Sequence, residues 1–382
     1  MAGQLLPSAC GCIQIVSARS WHRPRPPPGR LQGYPPGPVV SPSQCACSQR
    51  CRAQQRAAEA TSEYLPFMPP QVLQLQEPAA LELLRRMQRE PVHVPELGRD
   101  ILTAFIGPAA SPVHRSAQPV LLLHSFDGSC LEFRRLHPIL AAQVPTWAVD
   151  LAGWGFTDCG FGDAATQNQP VGPQQKREHL YAFWKQQIKE PMVLLGTSLG
   201  GAVALDFALA HPEAVSSLVL VNAQGFADGL GSMMLMPQFV AKFGVQILRT
   251  TWLRQLANKM AYHDKAKFAT NDAMLAGRLH TWLPGWSEAS ISFIQSGGYS
   301  ISNRIKDVSS RTLILWGRSD EILDPAYAQR FADEIPDSEL VYMDKCGHCG
   351  HLEQPERIAL ELLRFVGLPS PADSQLLSDA AQ

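Results

Sequence analysis

Short apolar runs recur along this chain, each followed by a stretch with helical spacing. Residues 120–123 (VLLL), 193–195 (VLL), 218–221 (LVLV) and 312–315 (TLIL) have almost no polar interruption. Runs of that length without alternation fit strands buried on both faces. Residues 147–149 (WAV) and 340–343 (LVYM) read the same way, and 101–106 (ILTAFI) reads as an earlier strand. Segments 131–142, 174–189, 199–209, 326–335 and 355–365 read as helices; in 174–189 the apolar positions are Leu180, Phe183, Trp184 and Ile188. Residues 82–90 (ELLRRMQRE) read as a short helix. Strands alternating with helices predict an α/β fold, a mostly parallel sheet with helices on both faces.

The alternation stops between about 225 and 300. That stretch has helical patterns and no convincing strand, and is rich in Met, Phe and Trp. It reads as a helical cap inserted between two strands. In open α/β sheets ligands bind at the carboxyl ends of the strands, where such a cap would cover them. Met233, Met236, Trp282 and Trp286 are its candidates for lining a substrate pocket, because pockets are mostly apolar.

Composition changes the picture at the amino end. Residues 1–58 hold no Asp or Glu, no Lys, and seven arginines: Arg19, Arg23, Arg25, Arg30, Arg50, Arg52 and Arg56. Pro and Ser are frequent, so too little apolar surface is available to offset ordering entropy. An Arg-rich, Ser-containing, acid-poor start is the composition of an organelle transit peptide. Residues 1–60 are therefore expected to be a disordered leader, and 61–382 the folded α/β domain with its cap at about 225–300. Over the whole chain the formal net charge is −1, with 18% charged residues. Nothing in that balance draws the protein to nucleic acid, and no apolar stretch reaches about 18 residues, the length of a spanning helix. Five of the nine cysteines, Cys10, Cys12, Cys45, Cys47 and Cys51, lie in the leader. The remaining four are too few for a disulfide scaffold. Cys346 and Cys349 form a C-x-x-C spacing, but after the last expected strand, away from the context that makes it a redox motif.

The chemistry centres on residues 193–201, VLLGTSLGG. Gly196-x-Ser198-x-Gly200 follows a strand and precedes a helix, the setting of a nucleophile elbow: a strained turn that lifts the serine hydroxyl above the sheet. Such sites place the acid and then the histidine later in the chain. Asp320, in WGRSD after the 312–315 strand, is the favoured acid; Glu321, Asp324 and Asp228 are its rivals. His348 and His351, in CGHCGH, are the histidines beyond it, and the loop position favours His348. Backbone N–H groups of Leu199, after the nucleophile, and of Phe126, in HSFDG after the 120–123 strand, are candidates for an oxyanion hole. No cofactor or metal is called for.

From about 119 to 366 the chain resembles the α/β-hydrolase superfamily in its capped form. The pieces that carry this are HSFDG, DLAGWGFTD, GTSLGG, WGRSD and GHCGHLEQPE. LEFRRLHP, WAVDLAGWGF, KREHLYAFW and GRLHTWLPGW further resemble plant and algal plastid hydrolases related to chlorophyll dephytylases and pheophytinases. The resemblance implies a serine hydrolase acting on a small apolar ester or thioester, such as a plastid lipid or a prenyl or phytyl ester. It also implies a plastid location, with the mitochondrion as alternative, and allows peripheral membrane contact. Two departures stand out: Ser125 where the family has Gly, and Thr157 where it often has Ser. A Ser nucleophile disfavours the members that use Asp at the elbow. Two other uses of the same residues remain open: a receptor-like binding protein with little turnover, and a carbon–carbon hydrolase or lyase.

Overall fold

The apolar runs form the centre of one eight-stranded sheet. The computed structural model describes residues 66–159, 171–231 and 237–369; the expected leader and the Met233–Met236 stretch lie outside them. The chain begins with α1 (Pro78–Arg86), β1 (Met87–Val94), β2 (Arg99–Ile106) and β3 (Val120–Leu123). Then come α2 (Leu136–Gln143), β4 (Thr146–Val149), α3 (Pro173–Phe183), β5 (Met192–Thr197), α4 (Leu199–Ala210) and β6 (Val215–Val221). The next helices are α5 (Gln238–Leu248), α6 (Thr251–Met260), α7 (Lys265–Phe268), α8 (Asn271–Ala276) and α9 (Trp286–Gln295). The chain closes with β7 (Arg311–Gly317), α10 (Ala326–Glu334), β8 (Ser338–Met343), α11 (Gly350–Glu353) and α12 (Pro355–Phe365). Strand order is β1-β2-β4-β3-β5-β6-β7-β8. Strands β3 to β8 run parallel to one another, and β2 is antiparallel to both β1 and β4.

The strand alternation explains the continuous apolar runs. Leu121, Leu123, Leu194, Leu218, Leu220 and Ile314 point into the core on one face. Val120, Leu122, Val193, Leu195, Val219 and Leu313 point into the other. Helices cover both sides, so every position of these four central runs is buried, each large apolar side chain contributing about 1.5–3 kcal/mol.

Three local expectations differ from the structure. The helix expected over 82–90 ends at Arg86, and Met87–Val94 is a strand paired antiparallel to β2 from Met87↔Ile106 to Val94↔Arg99. Its sequence, MQREPVHV, is polar because it is an edge; exposed charges and Pro91 deter pairing with another chain. The 131–142 helix is broken into a 3-10 turn, Cys130–Phe133, and α2. The 174–189 helix passes into a single π turn, Trp184–Ile188, which ends at Lys189 with φ +67°.

Between β6 and β7 the described residues contain helices and no strand. Helix α5 buries Ala241 and Val245 against Trp286, Ile291 and Ile294, on and around α9. This insertion is tied to the sheet through the loop after β8. Gly347 N–H and His263 N–H donate to Glu353 Oε2, at 2.7 and 3.2 Å, and Asp264 N–H donates to Oε1 at 2.7 Å. Cys349 N–H donates to Ala261 O at 3.0 Å.

Candidate active site

Ser198 stands between β5 and α4 with φ +50° and ψ −121°, backbone angles an L-residue adopts only under constraint. The constraint is visible. Ser198 N–H donates to Val221 O at 3.1 Å, and Ser198 O accepts from Gly201 and Gln224 at 2.9 and 2.8 Å. The turn is tight enough to demand the flanking glycines. A Cβ on Gly196 would lie 2.2 Å from Gly200 O, and one on Gly200 would lie 2.4 Å from Leu123 O. The pattern is thus steric, and it leaves the serine side chain projecting from the sheet end.

Asp320 and His348 meet at the same end. His348 Nδ1 lies 2.8 Å from Asp320 Oδ2, which leaves Nε2 for another partner. Oδ2 also accepts from Asn222 Nδ2 at 2.7 Å, and Oδ1 accepts the amides of Ile322 and Leu323 at 2.8 and 3.0 Å. Burial pulls the Asp320 pKa upward, but the His348 bond and charge, the Leu323 amide and Asn222 outweigh it, and the carboxyl is held below its ordinary value. The rivals are engaged elsewhere. Glu321 pairs with Lys265, Asp324 caps the start of α10 through Ala326 N–H, and Asp228 bonds Ser302. His351 is buried against Phe133, 3.7 Å from Glu132 Oε2, and burial holds its pKa at about 3, so it is neutral. It does not touch Asp320.

The loop after β3 is held from both sides. Leu151 N–H donates to His124 Nε2 at 3.1 Å, so the imidazole carries its hydrogen on Nδ1 and donates it to Ser125 O at 2.8 Å. Burial holds that histidine neutral, with a pKa of about 3. In a trans peptide the Ser125 carbonyl and the Phe126 N–H point in opposite directions, so fixing one aims the other. Neither Phe126 nor Leu199 N–H has a protein acceptor among the described residues. Ser125, the departure from the family pattern, is absorbed by Glu132: its amide and hydroxyl both donate to Oε2, at 2.9 and 2.8 Å. Burial raises the Glu132 pKa against the pull of those two bonds. Asp127, at φ +49°, is buried and accepts from three residues of the helical insertion: Arg254, His280 Nε2 at 2.9 Å and Trp286 Nε1 at 2.7 Å.

Ser198, His348, Ser125 and Phe126 line one cavity of about 340 Å³, roofed by Leu248, Leu253 and Ala257 and closed by Met274, Ile322 and Leu352. Two expected lining residues are elsewhere. Trp286 is fully buried and packs the insertion, its N–H spent on Asp127. Trp282 lines a separate surface hollow under the Arg278 guanidinium. Met233 and Met236 lie outside the described residues. Cys346 and Cys349 are free; burial pushes the Cys346 thiol up to about 12, away from a reactive thiolate. Asn222, Glu132 and Asp127 were not singled out from sequence as site residues. Only Asn222 carried a signal, an amide residue directly after the β6 run, now seen at φ +44°.

The sequence profile of the alpha/beta hydrolase family matches residues 120–362. The chain belongs to that family. It is 35% identical over 311 residues to the alpha/beta hydrolase domain-containing protein VTE7 of Arabidopsis thaliana, covering 80% of this chain and 92% of the relative. It is 24% identical to the monoacylglycerol lipase ABHD6 of Bos taurus, over 69% of this chain and 79% of the lipase. Among solved structures, a thermophilic esterase from Thermogutta terrifontis superposes with a TM-score of 0.60 at 20% identity, covering 73% of this chain and 99% of that one. A serine hydrolase involved in carbazole degradation superposes at 0.58 with 23% identity, over 74% and 100%. At those identities the likeness is one of fold: this hydrolase has the α/β-hydrolase sheet.

Proposed function

We propose that the protein is a serine hydrolase that cleaves an uncharged, apolar ester or thioester through an acyl-enzyme. The observation that carries this reading is the strained Ser198 opening into an apolar cavity that it shares with His348, itself bonded to Asp320. In the proposed cycle His348 Nε2 takes the proton of Ser198 Oγ as the oxygen attacks the acyl carbon. Phe126 and Leu199 N–H receive the developing oxyanion. Collapse expels the alcohol or thiol, protonated by His348, and water then attacks the acyl-serine by the same route. Asp320 orients the imidazole and stabilises its charged form.

The cavity also bears on substrate charge. Hydrolases of 2-hydroxy-6-oxo acids are among the relatives, one from Metapseudomonas resinovorans at 27% identity. An acid substrate needs a spare cation. Here the two arginines at the cavity are already paired, Arg254 with Asp127 and Arg134 with Glu77, and Glu132 adds a further acidic side chain. That favours a neutral ester over an acid.

The test is a series of acyl esters of rising chain length. Each methylene buried contributes about 0.8 kcal/mol, so two more carbons should raise kcat/KM roughly tenfold until the cavity is full. Ala257→Trp should erase that rise and spare the acetate ester. A flat profile in the wild type would refute an apolar acyl site.

We also propose that the Arg-rich leader directs the protein to the plastid, on the strength of its composition and of the plant relative. Residues 1–60 fused to a fluorescent protein should accumulate in chloroplasts. Accumulation in mitochondria or the cytosol would overturn this.

A further inference from the structure

Helices α5 and α6 present apolar side chains to solvent as well as to the protein. Phe239 and Phe243, one helical turn apart on α5, are 75% and 70% exposed, the highest among the large apolar side chains of the described residues. Their helix already buries Ala241 and Val245 on its other side. In α6, Trp252, Leu256 and Met260 recur every four residues and are all exposed. No residue of α6 is buried; Leu253 and Ala257 instead roof the cavity above Ser198. The helix is thus apolar towards the cavity and apolar again outward, which water alone does not favour. The two helices are consecutive and in contact, and the apolar mouth residues Phe126 and Ile322 are themselves exposed.

Charge indicates what covers this surface. From 229 to 263 the chain has no Asp or Glu, while Lys242, Arg249, Arg254 and Lys259 are present. Lys242 and Lys259 are exposed beside the apolar strips. Large apolar side chains with Trp among them, flanked by cations and free of acids, suit the interface of an anionic bilayer. We infer that α5 and α6 dock on an anionic lipid surface, with α6 lying between the bilayer and the cavity. The inference deepens the proposed function by giving an apolar ester its source, a membrane, and rests on that reading only for its turnover arm.

The experiment uses the full chain, wild type and Phe243→Ser/Trp252→Ser, with phosphatidylglycerol–phosphatidylcholine vesicles. Neither side chain belongs to the cavity, so the double variant should keep its unfolding midpoint and its turnover of a short water-soluble ester within about twofold. Its vesicle partition coefficient should fall by about tenfold or more. Hydrolysis of a long-chain ester presented in vesicles should fall with it. Binding should also weaken with salt. Lys242→Gln/Lys259→Gln should lose the salt-sensitive part and keep residual binding to high-salt vesicles. Vesicle binding is read without turnover, so an enzyme that cleaves no ester would sink the proposed function and leave this arm readable. Equal binding by wild type and the Ser variant would overturn the inference and assign any membrane affinity to the Arg-rich leader. A wild-type dimer that the variant dissociates, with no vesicle binding by either, would overturn it in favour of a second copy of the chain.

Discussion

Ser198→Ala is expected to lower kcat/KM by on the order of 10³–10⁶ and to abolish labelling by a fluorophosphonate probe, with the fold intact. The size follows from the geometry. The alanine removes the proposed nucleophile, and leaves the two proposed oxyanion amides and the cavity to bind a substrate that is no longer attacked. His348→Ala should cost a similar factor, and the double variant little more than either single one, because the two groups act in one step. His351→Ala should retain most turnover. Its imidazole is neutral, buried against Phe133 and away from Asp320, so the loss there is one of packing. Labelling that survives in Ser198→Ala would remove Ser198 from the nucleophile's role, and an inactive His351→Ala beside an active His348→Ala would move the base.

The parallel strands were legible because burial on both faces forces an uninterrupted apolar run, and the elbow because its glycines answer to backbone contacts within a few residues. Strand β1 was not: a polar edge strand has no periodic signature of burial, and its pairing with β2 overrode the helical character of ELLRRMQRE. The Asp127 cluster was illegible for a different reason. Its donors lie 127, 153 and 159 residues further on, and no local pattern connects them. The same distance explains the reading of Trp286. A tryptophan in an apolar insertion suggests a pocket wall, but its N–H must find an acceptor when buried. The acceptor is Asp127, on the loop that carries the Phe126 amide. Trp286 thus helps hold the loop after β3, which carries the proposed oxyanion donor, and does not line the cavity.

Asp127 is where the insertion grips that loop, and removing it should have the largest effect of any residue outside the proposed triad. Its carboxylate is buried. Burial alone would raise its pKa, but Arg254, His280 and Trp286 more than offset that and hold it far below the usual carboxylate range. Asp127→Ala leaves a guanidinium at the cavity without its counter-charge and strands two buried N–H donors. Breaking such a pair costs about 3–5 kcal/mol, which for a domain of this size lowers the unfolding midpoint by on the order of 5–10 °C. The loop should also lose its fixed direction at Phe126, lowering kcat for a short soluble ester by about tenfold or more while KM changes little. Asp127→Asn keeps an oxygen for His280 and Trp286 but not the charge for Arg254, so it should fall between the two. The pH dependence has a definite sign. A carboxyl whose folded pKa is depressed contributes stability that is fully present above its unfolded value of about 3.9. That contribution fades as pH falls from there towards the folded value. The midpoint gap between wild type and Asp127→Ala should therefore be widest near neutral pH and narrow below about pH 4. A gap independent of pH would mean that the aspartate acts through shape alone, and an unchanged midpoint with unchanged kcat would show that the insertion does not hold the loop.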